Sequence, residues 1–237
     1  LFRSLREPRN YFSVLRAIAQ GCTRMNEIAQ AAGIGEVTTV VRYLDILQQM
    51  RLVSRRVPAT ETQPEKSKKG IYQIDDHFLR FWFRYVHPNQ GSLDLGLADA
   101  ILQQRILPDL DHFVATVFEE ASIVFTAQLA QAGELPFLPD RIGGWWNRDT
   151  EIDVLAINLT EKFALLGECK WSIHPVGIKV LDDLKHKAQI LKKEAGVKKA
   201  QYAIFARTGF TLELQELAIH EGVRLFTVDD LVRGGLG

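Results

Sequence analysis

The spacing of apolar residues changes period along the chain and divides it into a helical first half and a strand-rich second half. From Pro8, the apolar positions Tyr11, Phe12, Val14, Leu15 and Ile18 recur at helical spacing and stop at Gly21, which predicts a first helix. A second helix begins with Thr23 as N-cap, carries Asn26 and Glu27 in its first turn, and ends before Gly33. After the tight turn Ile34-Gly35, a third helix from Glu36 to about Met50 turns Val37, Val40, Val41, Leu44 and Leu47 inward. Leu52–Val57 and Gly70–Ile74 read as two strands around a loop rich in Pro, Thr, Glu and Lys. Three short helices followed by a hairpin predict a winged helix-turn-helix over residues 1–87.

Asp76–Val86 is dense in aromatics (Phe78, Phe81, Trp82, Phe83 and Tyr85) interleaved with arginines. Base stacking would use such a stretch, but a helix buried on most sides is the better reading, closed by Pro88-Asn-Gln-Gly91. A helical connector follows over about 92–104. A longer helix over about 109–132 has Phe113, Val117, Ala121, Val124 and Leu129 on its apolar side. Glu119 and Glu120 fall on its surface by default.

Short apolar runs then take over. Gly143–Asn147, Glu151–Asn158 and Lys162–Lys170 are three strands, followed by a helix over 177–194 and a fourth strand, Gln201–Ala206. A helix Thr211–His220, a fifth strand Val223–Thr227 and a terminal turn Asp229–Arg233 complete the series. The order α-β-β-β-α-β-α-β over 88–237 predicts a mixed sheet covered by helices, because the third and fourth strands are apolar on both faces. The chain is thus α+β, with an N-terminal winged helix-turn-helix, a helical connector and a C-terminal α/β domain.

Composition adds few constraints. Apolar residues make up 46% of the 237 and charged residues 24%, as in a soluble globular protein. The net charge is zero, so any attraction to nucleic acid is local; residues 1–75 hold 12 basic and 7 acidic side chains. Cys22 and Cys169 match no zinc or disulfide spacing, and no signal-peptide pattern or uninterrupted apolar run of spanning length occurs. The expectation is a cytoplasmic protein without a membrane partner. The chain opens Leu1-Phe-Arg-Ser with no initiator methionine, as a fragment or a processed chain would.

The candidate chemistry sits on the second and third strands of the sheet. If their turn is centred between Thr160 and Glu161, Asp153 faces Glu168 and Glu151 faces Lys170. Glu168 and Lys170 then share a face, roughly 6.5–7 Å apart along the strand, and cross-strand neighbours approach to about 4.5–5.5 Å at Cβ. Opposed carboxylates repel each other, and a divalent cation relieves that repulsion. Mg²⁺ or Mn²⁺ held by Asp153 and Glu168, with Lys170 supporting a nucleophile or phosphate, makes a phosphodiesterase site. A solvated strand edge is the competing reading. Cys169 points to the other face, as a small core residue. His174 and His220 lack partners at ligand spacing. Lys185, Lys187 and Gln189 on the next helix are within reach of a phosphate backbone, although a solvated helix face describes them better.

In the first half, Thr38, Thr39, Arg42 and Tyr43 on the third helix would face the DNA major groove. Arg55, Arg56, Lys66, Lys68 and Lys69 on the wing would meet phosphates. Glu36 and Asp45 weaken the basic face, and protein docking is the alternative use of such a module.

Four motifs together carry a resemblance: Ile71-Tyr-Gln-Ile-Asp-Asp-His-Phe-Leu-Arg-Phe-Trp-Phe-Arg-Tyr85, Phe118-Glu119, Trp145-Trp-Asn-Arg-Asp-Thr-Glu-Ile-Asp153 and Gly167-Glu-Cys-Lys-Trp171. They resemble the C-terminal half of archaeal and bacterial ATPases of the AAA/STAND type. In those proteins a P-loop core precedes a winged helix and domain of unknown function 234, which is similar to the PD-(D/E)xK nuclease superfamily. The resemblance implies a restriction-endonuclease-like fold for 88–237, with Asp153, Glu168 and Lys170 as the core constellation. It adds Glu119 as a fourth member, as in resolvase-like nucleases, and makes the ATPase core of the same polypeptide a partner. Ile152-Asp153 stands where the superfamily usually has Pro-Asp. No Gly-x-x-x-x-Gly-Lys-Ser/Thr occurs, so no ATPase activity is expected of these residues. The implied function is a DNA-binding module with metal-dependent endodeoxyribonuclease chemistry. The alternative is a non-catalytic DNA- or protein-binding regulator of the ATPase.

Overall fold

A computed structural model describes residues 8–234. The chain divides into two compact units. One comprises the residues up to Val57 together with Pro64–Leu110; the other comprises Pro58–Gln63 and the residues from Asp111 onward.

The first unit opens with α1 (Pro8–Ala19), α2 (Met25–Ala31) and α3 (Val37–Gln49). Pro8 heads α1, where a missing N–H costs nothing, and Gly21 ends it with φ near +100°. The N-cap of α2 is Arg24 rather than Thr23. Glu27 reaches back to accept from the backbone N–H groups of both Thr23 (3.1 Å) and Arg24 (3.0 Å), which moves the helix start one residue on. The inward face of α3 is Val40, Tyr43, Leu44 and Leu47. Val37 stays 40% exposed, and Tyr43 fills the core in its place. Strands β1 (Val53–Arg56) and β2 (Ile71–Ile74) pair antiparallel with Val53 opposite Ile74 and Arg56 opposite Ile71, and both pack on the three-helix core.

α4 (His77–Phe81) starts at Asp76, whose side chain accepts from Leu79 N–H at 2.8 Å. Five residues of π-helix, Trp82–Val86, continue it. Pro88 does not end the helical path: it lies in a single 3-10 turn, and α5 (Gln90–Asp94) resumes at once. The true break is at Gly96, whose φ of +78° suits glycine. α6 (Ala98–Ile101) and a second π-helical turn, Leu102–Ile106, then lead into α7 (Leu107–Gln131). The stretch predicted as mostly buried is buried at Arg80, Phe83 and Tyr85 but leaves Phe78 70% exposed.

In the second unit α7 presents Phe118, Ser122, Phe125, Thr126 and Leu129 to the core. Ala121 and Val124, expected inside, are outside. Ser122 and Thr126 account for the rotated face. Each hydroxyl donates to the carbonyl one turn back, Phe118 O and Ser122 O, at 2.8 Å, so both bury without an unsatisfied polar atom. By length and composition the helical run Ala98–Gln131 could cross a membrane, with 28% of its most apolar window buried; beyond Asp111, Phe118, Phe125 and Leu129 join the cluster against the sheet.

The sheet is five-stranded and mixed: β3 (Arg141–Trp146), β4 (Glu151–Asn158), β5 (Phe163–Lys170), β6 (Lys199–Ala206) and β7 (Arg224–Thr227), in that spatial order. The first three are antiparallel neighbours, and β6 and β7 add in parallel. The crossovers are α8 (Ile178–Ala195) and α9 (Leu212–Glu221), with α10 (Val228–Gly234) at the end. One face buries Leu155, Ile157, Ala164 and Leu166 against Leu184, Ala188 and Leu191 of α8. The other buries Val154, Ala156, Leu165 and Phe205 against Phe118, Phe125 and Leu129 of α7. Burial on both faces explains why these strands read as unbroken apolar runs.

Candidate functional site

The turn between β4 and β5 is fixed by Asn158. Its carbonyl oxygen accepts from Glu161 N–H at 2.7 Å, and its amide donates to Leu138 O at 2.8 Å. The turn sets a ladder of five pairs, from Asn158 opposite Phe163 to Val154 opposite Gly167. This is the register inferred from the sequence. Gly167 is required where the ladder ends, because a Cβ there would stand 2.9 Å from both Phe205 Cε2 and Val154 Cβ.

Beyond Gly167 the two strands part. Asp153 does not form the next ladder pair with Glu168; its Oδ2 accepts from Cys169 N–H at 2.7 Å. A side-chain acceptor thereby replaces a backbone carbonyl, and the strand ends open around the acids. Glu168 is 6% exposed although charged. Both its oxygens are engaged: Oε1 by Lys170 Nζ at 2.8 Å and Oε2 by Lys187 Nζ of α8 at 2.7 Å. Burial, and then the charge of Glu168, push the Asp153 carboxyl up to about 6; the Cys169 N–H and the two lysines pull the other way. Burial works against the charge on Lys170, but the hydrogen bond and charge of Glu168 outweigh it and raise its pKa.

Glu119 lies on the other side of the sheet, half-buried on α7 between Phe118 and Ser122. Phe118 packs on Trp171, with ring centroids 5.4 Å apart. The Cys169 thiol faces this side, and its pKa is raised well above normal by burial first and then by the charge of Asp153, with smaller contributions from Glu119 and Glu168. The structure thus gathers Asp153, Glu168 and Lys170 at one strand end, while Glu119 stays on the α7 side of the sheet, where its charge acts on Cys169.

A cavity of about 460 Å³ opens beside Glu168 and Lys170, lined also by Glu151, Asp183, His186 and Lys187 among others; Asp153 and Glu119 do not line it. Lys187 is the participant that the sequence ranked too low. Its signal was position: it lies three residues after Leu184 and four before Leu191, beside the buried stripe of α8. Lys185 instead pairs with Glu221 at 2.5 Å, and Gln189 is exposed.

As a cation site, the group offers two carboxylates. Among the described residues no cluster of three or more His, Cys, Asp or Glu side chains is placed to hold a metal. A magnesium-like ion, which takes one or two carboxylates and completes its shell with water and phosphate, fits this donor set; an all-protein cage does not.

In the first unit Thr38 and Arg42 are exposed and Thr39 is half-buried. Tyr43 is not on that surface: it is 2% exposed, edge-on to Tyr11 at 4.7 Å, with its hydroxyl accepting from Asn10 Nδ2 at 2.8 Å. Arg55 is folded inward, donating to Pro64 O at 2.8 Å and to Ser67 O. Arg56 donates to Gln73 Oε1 at 3.0 Å, while Lys66, Lys68 and Lys69 are exposed. The hairpin therefore spends one arginine on its own loop, and its exposed charge comes from the lysines.

The chain is an α+β protein with acids and lysines at the open end of a mixed sheet. Residues 82–181 match the family DUF234, described as archaea bacterial proteins of unknown function. An uncharacterized protein of Methanocaldococcus jannaschii is 37% identical over 165 residues, covering 70% of this chain and 36% of the relative. The chain therefore spans little more than a third of that relative's length. No solved structure matches.

Proposed function

We propose that this chain is a DNA-binding module of a longer ATPase, with a winged helix in its first unit and a restriction-endonuclease-like, metal-dependent phosphodiesterase site in its second. The observation that carries the reading is the clustering of Asp153, Glu168 and Lys170 where β4 and β5 part, on a sheet reached in the order α-β-β-β-α-β. The length of the M. jannaschii relative is consistent with a further domain in the full polypeptide.

Asp153 and Glu168 would hold a magnesium or manganese ion. Such an ion supplies Lewis-acid polarisation of the phosphoryl group and a bound water of lowered pKa. Lys170 orients the attacking hydroxide and shields its charge. Glu119 adds a carboxylate from α7. Exposed Thr38, Arg42 and the wing lysines Lys68 and Lys69 would hold the duplex, mostly through phosphates.

One observation favours the alternative, a non-catalytic regulator that binds DNA or protein. Both oxygens of Glu168 are taken by lysines, as in a structural ion cluster, so metal binding must first release at least one of them. Incubation of plasmid and branched DNA with Mg²⁺ or Mn²⁺ decides between the two. Cleavage that is lost in Asp153→Ala and Lys170→Ala supports the nuclease. DNA binding that survives both changes, with no cleavage by the unaltered chain, supports the regulator.

A further inference from the structure

The acid-and-lysine pattern on β4 and β5 does not include Lys187, yet Lys187 approaches Glu168 as closely as Lys170 does, 2.7 Å against 2.8 Å. One buried carboxylate carries two ammonium groups. Glu168 alone requires only one of them; the charges of both also act on Asp153, so two ammoniums face two buried acids, and Lys187, its side chain 24% exposed, gives up part of its hydration there. An ammonium has three donors, and each lysine spends one on Glu168. Both lysines line the same cavity of about 460 Å³. Their nitrogens stand on the two oxygens of a single carboxylate, and a phosphate presents pairs of oxygens at a similar spacing. The other charged groups lining the cavity are Asp149, Glu151, Asp183 and His186, with Asp153 near enough to feel Lys187.

The backbone under Lys187 is held firmly. Leu184, Ala188 and Leu191 of α8 are at most 1% exposed and pack on the sheet beneath the site. A rigid helix that aims a long cation at a shared acid can position a ligand anion.

We propose that Lys187 is a phosphate-binding residue of this site. Together with Lys170 it exchanges Glu168 for two non-bridging oxygens of a phosphodiester, which leaves the Glu168 oxygens available to a cation. The proposal rests on the phosphodiesterase reading above. It adds a second lysine: Lys170 serves the nucleophile as well as the phosphate, and Lys187 serves the phosphate alone.

Salt-dependent binding of a fluorescein-labelled DNA duplex, followed by anisotropy, tests the proposal. The unaltered chain, Lys187→Gln and Lys187→Arg are compared, with Mn²⁺ affinity measured separately by electron paramagnetic resonance without DNA. One lost phosphate contact makes the slope of log K against log salt shallower by about one in Lys187→Gln and lowers affinity, while Lys187→Arg keeps the slope. An unchanged slope in Lys187→Gln, with tighter Mn²⁺ binding, makes Lys187 a counter-ion of Glu168 and overturns the proposal. If the unaltered chain cleaves DNA and that result is obtained, the phosphodiesterase reading survives alone. A shallower slope with no cleavage under either metal sinks the nuclease and keeps Lys187 as a phosphate contact. Failure of the unaltered chain to bind DNA overturns both.

Discussion

Replacing Asp153 with Asn is expected to stabilise the protein. The carboxyl is buried beside Glu168, and its pKa stands at about 6 against an ordinary 3.8. Between these values the folded state binds a proton more readily than the unfolded state does, so stability falls as pH rises through this window. Two pKa units correspond to about 3 kcal/mol carried as a cost at pH 8 and absent below about pH 4. Asparagine removes the charge but keeps an oxygen for the Cys169 N–H bond of 2.7 Å. In EDTA at pH 8, Asp153→Asn should gain about 2–3 kcal/mol, or roughly 5–10 °C in Tm for a chain of this size. The gain should vanish at pH 4. Differential scanning calorimetry across that range reads both. A variant that melts lower at pH 8, or whose gain is the same at both pH values, refutes the electrostatic account. Excess Mg²⁺ adds a second sign: at one hundred times Kd it stabilises the unaltered chain by about 2.7 kcal/mol and leaves Asp153→Asn unmoved. If Mg²⁺ moves neither, the cation is removed from the argument and the burial cost stays.

Three further outcomes follow from particular contacts. Gly167→Ala forces a methyl to within 2.9 Å of Phe205 and Val154, so about 1–3 kcal/mol should be lost from the urea midpoint; an unshifted midpoint refutes the tight approach. Asp109 accepts from Arg84 Nε at 2.7 Å and Tyr85 Oη at 2.6 Å, and burial together with that bond holds Tyr85 up at about 12. Asp109→Asn should therefore lower the Tyr85 pKa in an ultraviolet titration without bringing it back to 10, and should cost about 1 kcal/mol because the pair is partly exposed. Arg42→Ala should flatten the salt dependence of DNA binding by about one unit, and Tyr43→Phe, altering a core residue, should leave that slope alone.

Most of the sheet was legible in the sequence because its strands are short, apolar and bounded by clear turns. The β4–β5 register followed from one assumed turn centre, since Asn158 and Glu161 close that turn locally. The opening of the strands at Asp153 was not legible, because it depends on a side chain taking a backbone donor. The rotation of α7 was hidden for a related reason: Ser122 and Thr126 count as polar in a periodicity but bury by bonding their own helix. Tyr43 looked like a surface aromatic beside Arg42, and its burial depends on Tyr11, thirty-two positions away. Lys187 stands beside the apolar stripe of α8, but its meeting with Glu168 required the packing of that helix on the sheet, which the stripe alone does not encode. Asp153, Glu168 and Lys170 were found together because strand alternation and one hairpin suffice to gather them.

The loop between β1 and β2 lends Pro58–Gln63 to the second unit. Ala59 N–H donates to Gly144 O at 2.9 Å, Arg141 donates to Thr62 O at 3.3 Å, and Ala59 joins the cluster around Trp145. The chain therefore passes between the units three times, and no single cut yields both intact. A fragment starting at Asp111 keeps all five strands but loses the strip along β3, uncovering Trp145 and the free edge of the sheet. Such a fragment should be prone to edge-to-edge association, whereas a nick within 58–63 with both pieces retained should leave the sheet covered.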